Sequence, residues 1–271
     1  MDHIGSYHTK PYSKYRKNIS LITSEGWKKH NIHSLIEVDV TEARKKIHDI
    51  KKQTGKKLSF TAWLIKCVAD ALHDHTEINA YRKGRKKIIC FQDIDIPIPI
   101  ERVINDEPVP MAYIIRKADT KTVPQITDEI RQVQQQTGST NTQVLGEDYS
   151  SFERFVLGAP FFIKKIFLWM SRHQAFLKKK HMGTVGVSAI GMKGQFPGWI
   201  IPLGGTTTML FIIGGISKKP GVINDTIAIR EFLHVTITAD HDVIDGGPLV
   251  RFIDQFISYC EQGYSLTPTK S

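Results

Sequence analysis

The 271-residue chain lacks the features of secreted and membrane proteins. It has no uninterrupted apolar run of about 18 residues, which is the length that a transmembrane helix requires. Its first residues do not resemble a secretory signal. Its three cysteines, Cys67, Cys90 and Cys260, are scattered, which argues against a disulfide framework or a zinc site. From these absences we expect a cytoplasmic protein that binds no metal.

The sequence also lacks the signals of a nucleotide-binding or multidomain protein. No Gly-x-Gly-x-x-Gly motif follows an early strand, which argues against a doubly wound nucleotide-binding fold, the alternative architecture. We recognise no repeat and no interdomain linker. A hydrophobic content of 41% and a charged content of 24% are ordinary for a globular domain of this length. We therefore expect an N-terminal arm at residues 1–14 and a single α/β domain at residues 15–271 with a mixed, largely antiparallel sheet.

Positive charge is abundant and unevenly distributed. The net charge is +10, and residues 1–90 carry 19 Lys and Arg against 9 Asp and Glu. The basic run at residues 82–87 contains no aromatic residue, so it predicts a hairpin turn and not a nucleic-acid surface. The surplus is consistent with a solvated surface, with attraction for a phosphorylated cofactor, or with attraction for an anionic membrane. We expect no nucleic-acid partner.

The most informative stretch runs from residue 233 to residue 260. Apolar and polar side chains alternate from Leu233 to Asp240, which predicts a strand. His241 follows, and then a Gly-rich turn leads to Pro248, a residue that favours the first turn of a helix. Apolar residues then recur at helical spacing up to Cys260. Because imidazole ordinarily titrates closest to neutral pH, His241 is a candidate general base, and the alternative is a buried or capping histidine.

Residues 152–180 form an unusual segment. Apolar residues, many of them aromatic, recur at helical spacing, and lysines and arginines supply the polar side. Pro160 predicts a break between two helices. The alternatives are a core helix pair under the sheet, a basic amphipathic surface that contacts an anionic membrane, the wall of an acyl-chain pocket, or a docking face for a partner.

Periodicity predicts the remaining elements. Residues 93–100 are predicted as a strand in which Pro97 and Pro99 cannot donate ladder hydrogen bonds, so an edge strand or an irregular strand is expected. The Lys-Lys-Pro-Gly sequence within residues 217–225 predicts a turn between two late strands. The other predicted strands are residues 32–40, 88–91, 109–115, 184–190 and 206–213, and the predicted helices are residues 41–55, 60–72 and 123–133.

The stretch Asp240-His241-Asp-Val-Ile-Asp245-Gly246 resembles the active-site motif of the acyltransferase catalytic domain of 2-oxo acid dehydrogenase complexes, a domain related in fold to chloramphenicol acetyltransferase. The resemblance covers roughly residues 15–263. It implies a single chloramphenicol-acetyltransferase-like α/β (α+β) domain in which residues 152–180 are an insertion. The other matching segments are residues 16–19, 37–41, 78–80, 117–121 and 183–191.

The resemblance also implies a role for four residues. His241 would deprotonate the acyl acceptor directly, without a covalent acyl-enzyme. Ser188, which lies 53 residues earlier, would donate a hydrogen bond to the oxyanion, where an unrelated serine would bond its own turn. Asp245 would pair with Arg16 and hold the loop. Family members form trimers in which neighbouring subunits contribute the histidine and the serine, so we expect a homotrimer with its active site between subunits.

The expected function is that of an acyltransferase with coenzyme A as a substrate. It would move an acyl group from acyl-CoA to a thiol, hydroxyl or amine of a small-molecule or lipid acceptor. We recognise no lipoyl-bearing domain, so a lipoyl group would come from a domain on another chain. Asp242 and Ala189 replace the usual arginine and the frequent asparagine of the complex enzymes, which argues against strict lipoamide specificity. The alternatives are a dihydrolipoamide or chloramphenicol-type acetyltransferase and a non-catalytic scaffold or membrane-surface binding module.

Overall fold

A computed structural model of the chain describes residues 5–104, 107–135, 159–172, 174–193 and 196–267. The helices are α1 (Lys14–Gly26), α2 (Thr41–Thr54), α3 (Phe60–Asp74), α4 (Val123–Gln135), α5 (Phe161–Ser171), α6 (Ala175–Met182) and α7 (Gly246–Gln262). The strands are β1 (Asn31–Asp39), β2 (Ala80–Lys83), β3 (Lys87–Cys90), β4 (Ile96–Ile104), β5 (Glu107–Ile115), β6 (Val185–Ser188), β7 (Met209–Ile223) and β8 (Thr226–Asp240).

Four strands form the main sheet, in the order β1-β8-β7-β6. Strand β8 pairs antiparallel with both β1 and β7, whereas β6 runs parallel to β7. Two separate antiparallel hairpins, β2–β3 and β4–β5, complete the described strands. The predicted α/β fold with a mixed, largely antiparallel sheet is therefore confirmed. The basic run at residues 82–87 forms the β2–β3 hairpin, as predicted.

The apolar core lies between the main sheet and the helices that cover it. Every second residue of β8 from Leu233 to Ala239 is apolar and completely buried, and the polar residues between them are buried as well. Phe211 of β7 packs edge-on against Phe252 and Phe256 of α7, with ring centroids 6.0 and 5.3 Å apart. Because β8 is paired on both edges and covered on both faces, its C-terminal end is held rigidly.

The predicted turn at residues 217–225 is wrong. Strand β7 continues to Ile223, and the turn consists of Asn224 and Asp225 alone, with φ angles of 47° and 60°. Two left-handed residues are what a two-residue hairpin loop requires. Pro220 pairs with Ile229 in a part of the hairpin that β1 does not reach, since β1 ends opposite Phe232. With only two strands there, a missing N–H group is tolerated on the open edge.

Part of the predicted insertion folds as two surface helices. Helix α5 begins directly after Pro160, and residues 152–158 lie outside the described residues. The side chains of Phe162 and Trp169 are 63% and 62% exposed, so the alternative of a core helix pair under the sheet is wrong for α5. None of the described helices is both long enough and apolar enough to cross a membrane.

Candidate active site

His241 is the first residue after β8. The pairing of β8 with β1 reaches Asp240, which lies opposite Asn31, and the His241 backbone N–H then donates to the carbonyl of His30 at 2.9 Å. The His241 residue is exposed. The alternative of a buried histidine is therefore wrong. A rigid strand end presents this imidazole to solvent, where a substrate can reach it.

Asp240 organises the loop that carries His241. Its backbone carbonyl accepts hydrogen bonds from the N–H groups of Val243 and Ile244, each at 3.0 Å. Its carboxylate accepts from the backbone N–H of Asp242 at 3.2 Å. Ile244 is only 2% exposed, so it anchors the loop in the core. These contacts fix the backbone on both sides of His241.

Asp242, which departs from the family pattern, contacts two other elements. Its carboxylate lies 2.9 Å from Nδ1 of His30 and 3.3 Å from a guanidinium nitrogen of Arg82. Lys29, beside His30, lies 3.8 Å from the carboxylate of Asp240. Sequence reasoning missed Lys29, His30 and Arg82 because no motif relates them. Lys29 and His30 lie between α1 and β1, and Arg82 lies on β2, so only the fold brings them to the loop.

The predicted pair of Arg16 and Asp245 does not form in the single chain. Both residues are exposed, and within the described ranges no ion pair joins them. Arg16 lies in the first turn of α1, where its N–H donates to the Ser13 hydroxyl at 3.2 Å. Asp245 is the N-cap residue of α7, with no hydrogen bond from its side chain to the helix. The role of this pair stays a prediction.

Ser188 is half-buried at the end of β6, far from His241 of the same chain. It lies opposite Ile212 of β7, which lies opposite Thr236 of β8. Five residues of strand from Thr236 to His241 span roughly 16 Å, and two strand spacings add roughly 10 Å sideways. The Cα atoms of Ser188 and His241 are thus roughly 19 Å apart in one chain, too far for their side chains to act on the same atom. One chain alone does not bring the predicted base and oxyanion donor together.

Two of the matching sequence segments hold the scaffold. In residues 78–80, the buried Asn79 side chain donates to the carbonyl of Phe91 at 2.7 Å and accepts from the hydroxyl of Thr184. In residues 37–41, the Asp39 carboxylate accepts from Nε of Arg230 at 2.6 Å and caps the start of α2. These polar residues therefore support the strands around the site and do not face it.

The segment that carries Ser188 depends on two glycines. Gly183 has a φ of 59°, and a Cβ atom there would lie 2.3 Å from the carbonyl oxygen of Asp95. At Gly191, a Cβ atom would lie 2.0 Å from the carbonyl carbon of Gly214. Because no side chain fits at either position, glycine allows β6 to approach its neighbours closely and fixes the position of Ser188.

The described residues include no group of three or more His, Cys, Asp or Glu side chains that is arranged to hold a metal ion. Cys67 and Cys260 are buried free thiols, and Cys90 is an exposed one.

The family of 2-oxoacid dehydrogenases acyltransferase (catalytic domain) matches residues 5–146 and 173–267. The match omits residues 147–172, which overlap the predicted insertion. The chain is 26% identical over 225 residues to the lipoamide acyltransferase component of the branched-chain alpha-keto acid dehydrogenase complex of Bacillus subtilis, with 81% of this chain and 44% of that protein covered. It is 26% identical over 264 residues to the dihydrolipoyllysine-residue acetyltransferase component of the pyruvate dehydrogenase complex of Rickettsia bellii, with 94% and 53% covered. The chain thus spans about half the length of these relatives.

Solved structures show the same fold. A probable dihydrolipoamide acetyltransferase from Listeria monocytogenes superposes with a TM-score of 0.67 at 22% identity and covers 96% of both chains. The dihydrolipoamide acetyltransferase of Azotobacter vinelandii superposes with a TM-score of 0.69 at 14% identity, with 96% of this chain and 93% of that chain covered. The resemblance stated from the sequence is confirmed.

Proposed function

The chain belongs to the 2-oxoacid dehydrogenases acyltransferase (catalytic domain) family, and from this membership we propose that it transfers an acyl group from coenzyme A to a thiol, hydroxyl or amine acceptor. The observation that carries the proposal is the position of His241. It lies in the family motif, at the end of a rigid strand, with its side chain accessible to substrate. A general base needs both a fixed position and access to the proton that it removes.

His241 acts on the acceptor directly. The imidazole takes the proton from the acceptor group as that group attacks the carbonyl carbon of the thioester. The carbonyl oxygen becomes an oxyanion, to which the Ser188 hydroxyl donates a hydrogen bond. The intermediate then collapses, the bond between carbon and sulfur breaks, and the imidazolium returns its proton to the departing coenzyme A thiolate. The acyl group never bonds to the protein.

This mechanism needs a second copy of the chain. An oxyanion donor acts at about 3 Å, and the distance of roughly 19 Å between Ser188 and His241 in one chain is far too long. We therefore place the active site between subunits of a homotrimer. A structural study of the Azotobacter vinelandii enzyme addressed the catalytic role of a serine, a histidine and an asparagine. In this chain Ser188, His241 and Asp245 occur in the same order as that serine, histidine and asparagine, with an aspartate in the place of the asparagine.

A second candidate differs only in the acceptor. The curated relatives are lipoamide or dihydrolipoyllysine-residue acyltransferases, which favours a dihydrolipoyl thiol as the acceptor. In that case a lipoyl group on a separate domain would deliver the acceptor thiol. The replacement of the usual arginine by Asp242 argues for a different acceptor, and a chloramphenicol-type acceptor belongs in the same test. Cytoplasmic location stays a prediction.

A non-catalytic role has one observation in its favour. On α5, Phe162, Ile166, Trp169 and Met170 are each more than half exposed, and Lys165 is exposed beside them. Aromatic and basic side chains on one helix are typical of contact with an anionic lipid surface. Sedimentation with anionic liposomes tests this role. Binding that disappears on removal of α5, together with a lack of thioester chemistry, would favour the membrane module over the enzyme.

The test is release of free coenzyme A, separated from the acyl-CoA by chromatography, from a panel of short and long acyl-CoAs, with and without dihydrolipoamide, chloramphenicol and simple amines. The coenzyme itself is followed because transfer to a thiol acceptor leaves the total number of thiols unchanged. His241→Ala should lower kcat by roughly 100- to 10,000-fold, since it removes the base. Ser188→Ala should lower kcat by roughly 100-fold or more. His48→Ala is the matched control, because His48 is an exposed histidine on α2, away from the loop. Equal release of free coenzyme A by wild type and His241→Ala would refute the proposal.

A further inference from the structure

A cavity of about 80 Å³ opens beside the loop that carries His241. Asp240 and Asp242 form one wall, and α1 and β2 contribute others. Leu168, Ser171 and Arg172 close the cavity, and all three lie in residues 147–172, which the family does not match. The volume exceeds several-fold what one buried water needs, so it admits a carboxylate or phosphate group. The cavity is thus partly built from a segment that the family match leaves out.

Basic side chains outnumber acidic ones around the cavity. Glu25 is shared by Arg172 and Lys28, at 3.0 and 2.7 Å. Asp242 pairs with Arg82 at 3.3 Å. These ion pairs already engage Glu25 and Asp242, and both acids are shared with other bases than Lys29 and Lys178. Five bases against three acids leave a positive surplus when all are charged. The five basic residues are Lys28, Lys29, Arg82, Arg172 and Lys178.

Lys29 is the most enclosed of these cations. Its side chain is 13% exposed, its ammonium group lies 3.8 Å from Asp240, and it donates to the carbonyl of Thr207. Burial lowers the pKa of Lys29 to about 7, and repulsion from Lys178 acts in the same direction, while Asp240 and Glu25 oppose it. Its positive charge is therefore poorly compensated.

Lys178, on α6, faces the same space. Its ammonium group lies 4.4 Å from the ring centroid of Tyr81, and in the described part of the chain no carboxylate forms an ion pair with it. Burial lowers the pKa of Lys178 to about 8. The positive charges of Arg172 and Arg82 lower this pKa further, whereas the negative charges of Asp240 and Glu25 raise it. Burial also raises the pKa of Tyr81, so its hydroxyl stays neutral. Two desolvated lysines thus line one cavity, and each is paired only weakly or not at all by the carboxylates of the described residues.

We propose that this cavity binds an anionic oxygen group of the substrate between Lys29 and Lys178. The inference rests on the proposed acyl transfer and names the substrate class: an acyl-CoA held by the carboxylate of its acyl chain or by a phosphate of the coenzyme. An anion there would offset the repulsion of the two lysines, and charge-assisted hydrogen bonds are the strongest that an ammonium group makes. Since Asp240 and Asp242 flank His241, a group bound in the cavity positions its substrate against the catalytic loop.

Direct binding is measured first, by calorimetry on the intact protein with succinate and inorganic phosphate as probes. Lys178→Gln and Lys29→Gln should each weaken binding of the preferred probe by about 10- to 100-fold, the range for one hydrogen bond to a charged group. Lys180→Gln is the matched control, because Lys180 is exposed on the same helix and does not line the cavity. Binding should weaken as the pH rises through the lysine pKa values of about 7 and 8, since only the ammonium form attracts an anion.

Kinetics identifies the source of the anion. If the acyl carboxylate binds, Lys178→Gln should lower kcat/KM for succinyl-CoA and spare butyryl-CoA. If a coenzyme phosphate binds, Lys178→Gln should lower kcat/KM for both succinyl-CoA and butyryl-CoA. This loss should be smaller when the substrates are thioesters of 3′-dephospho-coenzyme A. The site is refuted if neither probe binds to the wild type, or if Lys178→Gln changes binding no more than Lys180→Gln does. Probe binding without thioester turnover would instead refute the proposed function and leave the anion site standing.

Discussion

If neighbouring subunits share the active site, two inactive variants should rescue each other. Ser188 and His241 are roughly 19 Å apart in one chain, so each site must combine a histidine from one subunit with a serine from another. His241→Ala keeps a working serine, and Ser188→Ala keeps a working histidine. Each variant alone builds sites that lack one group. A mixed trimer contains some sites in which both groups are intact.

The expected recovery follows from random assembly. When both variants are refolded together in equal amounts, a site is intact only if its histidine comes from one variant and its serine from the other. Each condition holds for half of the subunits, so roughly a quarter of the sites in a cyclic trimer are complete. Activity per site should therefore reach roughly a quarter of the wild-type value. This is far above the activity of either variant alone, which should lie roughly 100-fold or more below that of the wild type.

The assay is acceptor-dependent release of free coenzyme A after joint refolding, compared with the two variants refolded separately and then mixed. Separately refolded trimers share no subunits, so their mixture should stay at the activity of the single variants. If joint refolding gives no more activity than this mixture, although sedimentation shows that mixed trimers formed, Ser188 and His241 do not act across a subunit interface. The structural reasoning would then be refuted.

Three further predictions concern the scaffold and are tested by denaturant unfolding with circular dichroism. Phe211→Ala should lower the free energy of unfolding by about 3–5 kcal/mol, because it leaves a cavity against α7, and retention of full stability would contradict the packing described. Gly183→Ala should destabilise the chain, since its Cβ would lie 2.3 Å from the carbonyl oxygen of Asp95; Gly205→Ala, where nothing lies within 4 Å, is the control. Burial opposes the ionisation of Asp39, but hydrogen bonds outweigh it and lower its pKa, so the stability that Asp39 adds at neutral pH should be lost as acidification passes its lowered pKa. If the wild type and the Asp39→Asn variant lose stability in parallel on acidification, the acid-dependent loss does not come from Asp39.

The sequence predicted the elements whose patterns are local. Strand β8 alternates because one of its faces is apolar and packs in the core while the other carries polar residues, and α7 keeps a helical stripe because it covers Phe211. Helix α1 was not predicted, since among its described side chains Leu21 is the one apolar residue that is buried. The end of β7 was also missed. Lys-Lys-Pro-Gly is ordinarily a turn signal, whereas the true turn, Asn224-Asp225, needs only two left-handed residues.

The candidate site was predicted only where its residues are contiguous in the sequence. The motif around His241 is contiguous, so spacing and resemblance identify it. Lys29 lies in the turn after α1, Arg82 on β2 and Lys178 on α6. No sequence spacing relates residues that meet only through the packing of the fold. The one available signal was Asp242, an acid in an unusual place. In the fold its carboxylate lies 3.3 Å from Arg82.

The most direct test of direct acyl transfer is mass spectrometry of both the acceptor and the protein after incubation with an acyl-CoA. The account predicts acylated acceptor in the same amount as released coenzyme A, an unchanged protein mass, and neither product with His241→Ala. A protein mass that increases by one acyl group during turnover would contradict direct transfer. Absence of any acylated acceptor, with well-folded wild type and every acceptor tested, would contradict the assignment as an acyltransferase.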